Sequence, residues 1–193
     1  MTQVLNKTSD QRIVQHDLSW EQFKLIQKGF ENSPGVRLFY FDGTIEILMP
    51  GLEHELFKSI IGMLVEIFFI AKGIEFAPTG SVTQEKEGIA SAQADESYCI
   101  WQPKMPPDFL IEVVFTSGGT DKLKRYKALG VPEVWFWQDG IFMLYRLRDD
   151  TYQRIYRSEI PELAEMDFDL LTRCVLIGET FRLEAARSFR QEI

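Results

Sequence analysis

Phe109-Leu110-Ile111-Glu112-Val113-Val114-Phe115 decides how this chain is read. Six apolar residues, aromatic, β-branched or leucine, surround one carboxylate, and a short run of that kind reads as a strongly apolar strand. A carboxylate inside it is costly unless a cation, a hydrogen-bond donor or a proton accompanies it. Glu112 therefore asks which group shares its surroundings.

The preceding residues supply one answer. Asp95 to Trp101 reads as a strand and Gln102 to Pro107 as a turn. Paired as an antiparallel hairpin turning near Pro103-Lys104, the two strands place Asp95 opposite Glu112, and opposed residues lie about 4.5–5.5 Å apart. Carboxylates that close repel unless a cation lies between them; the alternative is that Asp95 caps a turn. Asp108 is nearer in sequence but worse placed. It shares a sheet face with Glu112 four positions away, roughly 13 Å along a strand, whereas one metal ion binds oxygens at about 2–2.5 Å. Asp108 is then an accessory at most, starting the strand or satisfying a nearby donor.

After the strand, Thr116-Ser117-Gly118-Gly119 makes a sharp connection into a helix from Thr120 to Leu129, stopped by Gly130 and Pro132. Leu123, Tyr126 and Leu129 mark its buried face. At about 100° per residue, Lys122 falls on that side and Lys124 points almost opposite. Lys122 could neutralise Glu112, or stabilise negative charge on an attacking water or a phosphate. Lys124, Arg125 and Lys127 form either a solvated face or a set of contacts to a nucleic-acid backbone.

Outward from this centre, Val36 to Tyr40 and Thr44 to Met49 read as a hairpin around Asp42-Gly43. Ser19 and Gln22 have the spacing of a capping box for a short helix. Glu53 to Ala71 is the strongest helix, with Leu56, Ile60, Leu64, Ile67 and Phe68 on one stripe. His54, beside Glu53 and Glu55 at its start, could touch a metal site or hydrogen-bond a turn. Ile74 to Thr83 is extended and Glu85 to Ala92 is a charged loop. Strands follow at Glu133–Trp137, Ile141–Leu147 and Tyr152–Arg157, and the chain from Pro161 reads as helical. The aromatic run Trp135-Phe136-Trp137 belongs to the core. This order predicts an α/β (α+β) fold with a mixed sheet flanked by helices, as one domain over residues 17–193 after a flexible tail over residues 1–16.

Composition narrows the function classes. The longest apolar stretch, Ile60 to Ala71, contains Glu66 and is too short to cross a bilayer. Met1 to Gln11 lacks the apolar core of a secretory signal, so the expected location is cytoplasmic, with Cys99 and Cys174 as buried free thiols. A net charge of −8 argues against a wide nucleic-acid surface, although Lys122, Lys124, Arg125 and Lys127 are locally basic. His16 and His54 have no cysteine pair at zinc spacing. No phosphate-cradling glycine motif is present.

Taken together, Asp95, Ile111-Glu112-Val113-Val114, Thr116-Ser117-Gly118-Gly119, Asp121-Lys122 to Tyr126 and Leu129-Gly130-Val131-Pro132-Glu133-Val134-Trp135 resemble the Uma-two family (domain of unknown function 820). That family is assigned to the restriction-endonuclease-like, PD-(D/E)XK superfamily. The resemblance extends upstream through Asp42-Gly43 and Met49-Pro50 to Glu53-His54-Glu55. It implies a restriction-endonuclease-like core that binds Mg²⁺ or Mn²⁺ and cleaves phosphodiester bonds of nucleic acid, DNA rather than RNA. Asp95 and Glu112 would be its metal ligands and Lys122 its catalytic lysine, with Glu53 or His54 near the site. Ala94 stands where a proline usually precedes the aspartate. Val114 stands where the superfamily has its lysine, so that role passes to Lys122. The alternative function is an inactive nuclease fold serving as a scaffold or interaction module. Plentiful strands and aromatics leave room for a homodimer.

Overall fold

The computed structural model describes residues 9–115, 119 and 121–193. The sequence-predicted connection Thr116-Ser117-Gly118 and the helix start at Thr120 lie outside the described residues.

The chain forms β1 (Gln11–Gln15), α1 (Trp20–Gly29), β2 (Arg37–Phe41), β3 (Thr44–Met49), α2 (Leu52–Lys72), β4 (Phe76–Pro78), β5 (Thr83–Lys86), β6 (Ala90–Gln93), β7 (Glu96–Ile100) and β8 (Phe109–Val114). Then come α3 (Lys122–Leu129), β9 (Glu133–Gln138), β10 (Ile141–Arg148), β11 (Thr151–Ile155), a 3-10 turn at Pro161–Leu163, α4 (Phe168–Gly178) and α5 (Arg182–Glu192). Two sheets result. One is antiparallel, ordered β1-β3-β2-β6-β5; the other is ordered β11-β10-β9-β8-β7-β4 and is mixed, because β8 and β9 run parallel. The mixed α/β architecture expected of a restriction-endonuclease-like core is therefore present.

Local chemistry sets several of these elements. Asp42 and Gly43 both have positive φ, 48° and 71°, the backbone that a two-residue hairpin turn requires and that Asp-Gly tolerates. Ser19 accepts the Gln22 N–H while the Gln22 side chain accepts the Ser19 N–H, completing the capping box of α1. Gly73, at φ 65°, closes α2.

The layers follow from strand alternation. Phe109, Ile111 and Val113 of β8 face the main core with Ile60, Ile61, Leu64, Val65, Phe68 and Phe69 of α2, backed by α4 and α5. Leu110 and Val114 face the other way, into a second core with Tyr126 of α3, Phe39 and Leu48 of the antiparallel sheet, and Phe136. A third cluster seats α1 on the far side of that sheet, Phe23 against Leu38, Tyr40 and Ile45. Each fully buried aliphatic or aromatic side chain contributes about 1.5–3 kcal/mol relative to exposure, so α2 is the main anchor of the mixed sheet. Trp135, Phe136 and Trp137 are all buried, and Cys99 and Cys174 are buried free thiols.

Three local expectations change. Gln11–Gln15 is not tail but a strand, pairing with β3 from Gln11↔Met49 to Gln15↔Ile45; it is exposed throughout, so no buried alternation marks it in the sequence. Glu85–Ala92 is not a loop but much of the β5–β6 hairpin, whose small residues Ala90 and Ala92 are buried. The stripe on α2 is rotated: Phe57 is buried, while Leu56 is 42% exposed. Among the described residues no helix is long and apolar enough to cross a membrane.

Candidate active site

Asp95 sits where the chain leaves β6 in one sheet and enters β7 in the other. The β7–β8 pairing runs Glu96↔Ile111, Ser97↔Leu110, Tyr98↔Phe109, the register expected from the sequence, which continued by one step puts Asp95 across from Glu112. Asp95 is 1% exposed. Its Oδ2 accepts the Val113 N–H at 2.7 Å. Its Oδ1 accepts from the Arg37 guanidinium of β2 and lies 2.7 Å from His54 Nε2 of α2. Three elements, β8, β2 and α2, thus hold one carboxylate, with Arg37 supplying the opposite charge; Arg37 in turn reaches Glu55 at 2.7 Å.

Glu112 is 2% exposed and lies on the opposite face of β8 from Ile111 and Val113, beneath α3. The Tyr126 hydroxyl donates to Oε1 and the Lys122 ammonium to Oε2. Burial alone would push this carboxyl up. The charges of Lys122 and Arg125, together with hydrogen bonds from Lys122 and Tyr126, hold it below the usual carboxylate value. Burial and the Glu112 charge push the Tyr126 phenol well up, keeping it a donor. Helix phase explains the pairing: Lys122 and Tyr126, four residues apart, meet the strand from one helix face.

The two halves meet at a hollow of ≈ 20 Å³, whose polar lining includes Asp10, Glu46, His54 and Lys122. That volume accommodates about one water molecule. His54, which binds Asp95, and Lys122, which binds Glu112, share it. Glu46 on β3 accepts from Arg12 at 2.8 Å and from Arg125 at 2.9 Å. Burial raises its carboxyl, but the charges of Arg125, Lys122 and Arg12 and the Arg12 hydrogen bond bring it below the ordinary value. Asp10 is likewise raised by burial and lowered further by its bonds to His54 and the Gly51 N–H.

The remaining sequence candidates fall into place one by one. His54 is brought to the centre, but its neighbour Glu53 points to solvent. Asp108 accepts the Ile100 N–H at 2.8 Å and the Lys104 ammonium at 2.6 Å, so it closes the local hairpin. Lys124 is exposed near Asp121 at 3.8 Å, and Lys127 pairs with Asp150 at 2.8 Å. Arg125 is not a surface cation: it is buried, bound to Glu46, with its guanidinium 3.9 Å from the Phe39 ring centre. Sequence reading missed Arg37, Glu46 and Asp10. Arg37 and Glu46 carried the same signal as Glu112, one charge inside an apolar strand; Asp10 carried none.

A divalent cation suits the chemistry of this donor set. Asp95 and Glu112 carry hard carboxylate oxygens of the kind divalent ions accept, and each is balanced by an internal cation, Arg37 or Lys122. Among the described residues no cluster of three or more His, Cys, Asp or Glu side chains is disposed to hold an ion. Such an ion would rely on few protein ligands together with water and phosphate oxygens, as Mg²⁺ commonly does.

No curated protein matches the chain in sequence. The family model described as "Uma2: Putative restriction endonuclease" matches residues 20–168, a span that runs from α1 to the start of α4 and carries Asp95, Glu112 and Lys122. The chain belongs to the Uma2 family.

Proposed function

We propose that this protein is a nuclease that hydrolyses phosphodiester bonds of nucleic acid, DNA rather than RNA, at the centre formed by Asp95, Glu112 and Lys122. The observation that carries this reading is Glu112 kept ionised in the interior by Lys122, on the strand beside the one that leads from Asp95. Asp95 and Glu112 would hold Mg²⁺ or Mn²⁺, which when bound supplies Lewis acidity to the phosphate and to the attacking water.

The chain's own residues do the rest. Lys122 has three N–H donors and spends one on Glu112. Its others are available to the negative charge that builds on the phosphoryl oxygens. Tyr126 fixes the other oxygen of Glu112, so the carboxylate cannot swing. Arg37 and His54 do the same for Asp95. Substrate backbone contacts fall to exposed cations: Arg12 on β1 and Lys124 on α3, which line the cavity shared with Lys122, and Lys127 one turn further along α3. Arg125 acts from below, through Glu46.

A second reading, a nuclease fold retained as a scaffold, is favoured by one observation: both carboxylates are already neutralised internally, in a chain of net charge −8. One experiment separates the two. Purified protein is incubated with DNA and with RNA in Mg²⁺, Mn²⁺ or chelator, beside Asp95→Ala and Glu112→Ala. The nuclease reading expects metal-dependent cleavage lost in both variants; cleavage unchanged in Glu112→Ala removes the assigned centre. Calorimetric Mn²⁺ binding abolished by Asp95→Ala would count against the scaffold. We further propose a homodimer, which light scattering tests.

A further inference from the structure

Asp10 lies just before β1, ahead of the residues 20–168 that match the family. Its carboxylate joins two parts of the centre. Oδ1 accepts the N–H of Gly51, the residue that caps the start of α2, at 2.8 Å. Oδ2 lies 3.0 Å from Nδ1 of His54 in the first turn of that helix. The other ring nitrogen, Nε2, is 2.7 Å from Asp95 Oδ1. His54 and Asp10 side chains are only 1% and 8% exposed, so bulk solvent is largely kept from these bonds. A carboxylate on one ring nitrogen of a histidine sets where the proton sits and which way the ring faces, and so what the second nitrogen can do.

We infer that Asp10 is a positioning residue of the centre: by binding Nδ1 of His54 it fixes the ring so that Nε2 is aimed at Asp95. The N-terminal segment is then a working part of the site. Arg37 and the Val113 N–H each hold one oxygen of Asp95, and the Asp10–His54 pair adds a third contact, at Oδ1, whose direction Asp10 sets. The effect on turnover rests on the nuclease reading, whereas the geometry does not.

The test reads the ring directly. The sequence has two histidines, and His16 is exposed, so long-range ¹H–¹⁵N correlation spectra of the labelled full chain separate the two rings. Asp10→Ala and the near-isosteric Asp10→Asn are compared with the wild type, and Asp10→Asn decides if Asp10→Ala does not fold. The expected result is a changed His54 ring pattern and a shifted Val113 amide, with the His16 ring unmoved. If the wild type cleaves nucleic acid, kcat falls roughly 10- to 100-fold, the scale on which partners of a site residue act, with KM little changed and partial rescue by Asp10→Glu. Unmoved His54 ring signals in a folded variant overturn the inference. So does an unchanged kcat in a variant whose ring signals have moved. A wild type that cuts neither DNA nor RNA defeats the nuclease reading, and the spectra still decide the role of Asp10.

Discussion

Tyr126 donates its hydroxyl to Glu112 from beneath α3, one helical turn after Lys122 captures the other oxygen of the same carboxylate. Both residues of the Tyr126–Glu112 pair are essentially sealed from solvent. Tyr126→Phe keeps the ring and removes only the donor. A buried acceptor that loses its partner costs about 1–3 kcal/mol, so the urea midpoint falls by that equivalent while the slope stays constant. The Glu112 carboxyl also rises, having lost a bond that favours its charged form. An unchanged midpoint would mean that the hydroxyl contributes nothing to holding Glu112.

Lys122 and Glu112 differ in how well each tolerates losing the other. The Lys122 side chain is 13% exposed and can reach water; that of Glu112 is 2% exposed and cannot. Lys122→Met should therefore cost more than Glu112→Gln, approaching the about 3–5 kcal/mol typical of a buried pair broken on one side. The double variant, with no charge left in either position, should be more stable than the two single losses added together. Denaturant unfolding of the four proteins measures this. Strict additivity would show that the two side chains do not act on each other.

How much of this was readable in the sequence depended on whether a residue broke a pattern. Glu112 broke an apolar run, and a hairpin, if formed, put Asp95 opposite it, with a turn cap as the alternative; the observed β7–β8 register is that of the hairpin. Helix phase singled out Lys122 for the same reason, because a 3.6-residue period constrains direction. Arg125 shows the limit. Its phase was as legible as that of Lys122, but the second sheet, which supplies Phe39 and Glu46 to cover it, could not be placed from local spacing. β1 and β5 failed for a related reason: polar strands have no buried alternation to reveal them. Asp10 was beyond reach, since its role depends on contacts to residues more than forty positions away.

Two carboxylates should titrate in opposite senses. Glu46 is lowered by Arg125, Lys122 and Arg12 despite burial, so the stability it contributes is present above the unfolded carboxylate value and lost as pH falls through its own lower one. Glu96 is raised, by burial first and by Glu66 and Glu55 nearby, so its contribution is present at low pH and lost as pH rises through its own higher value. Glu46→Gln should thus destabilise at pH 7 and differ less from wild type near pH 3. Glu96→Gln should stabilise at pH 7, with the gain shrinking as the medium becomes acidic. Urea midpoints at both pH values decide; equal shifts at pH 7 and pH 3 for either variant would refute its assigned sense.

Gly178, at the end of α4, reports on the packing that anchors α2. A β-carbon built there would lie 2.7 Å from Ile60 Cγ2 and 3.4 Å from the β-carbon of Ala185 on α5. Ile60 is 1% exposed, and Ala185 is fully buried, so neither neighbour has free space to move into. Elsewhere in a helix, Gly→Ala stabilises by roughly 0.5–1 kcal/mol through backbone entropy. Here overpacking opposes it and typically costs 1–3 kcal/mol, so Gly178→Ala should lower the urea midpoint. Combining it with Ile60→Val, which removes a methyl group from the side chain in the way, should recover part of the loss. Because Ile60 lies six residues from His54, about 240° around the axis of α2, the ring signals of His54 should be the same in both variants. A stabilising Gly178→Ala would show that α2, α4 and α5 approach less closely than these distances require.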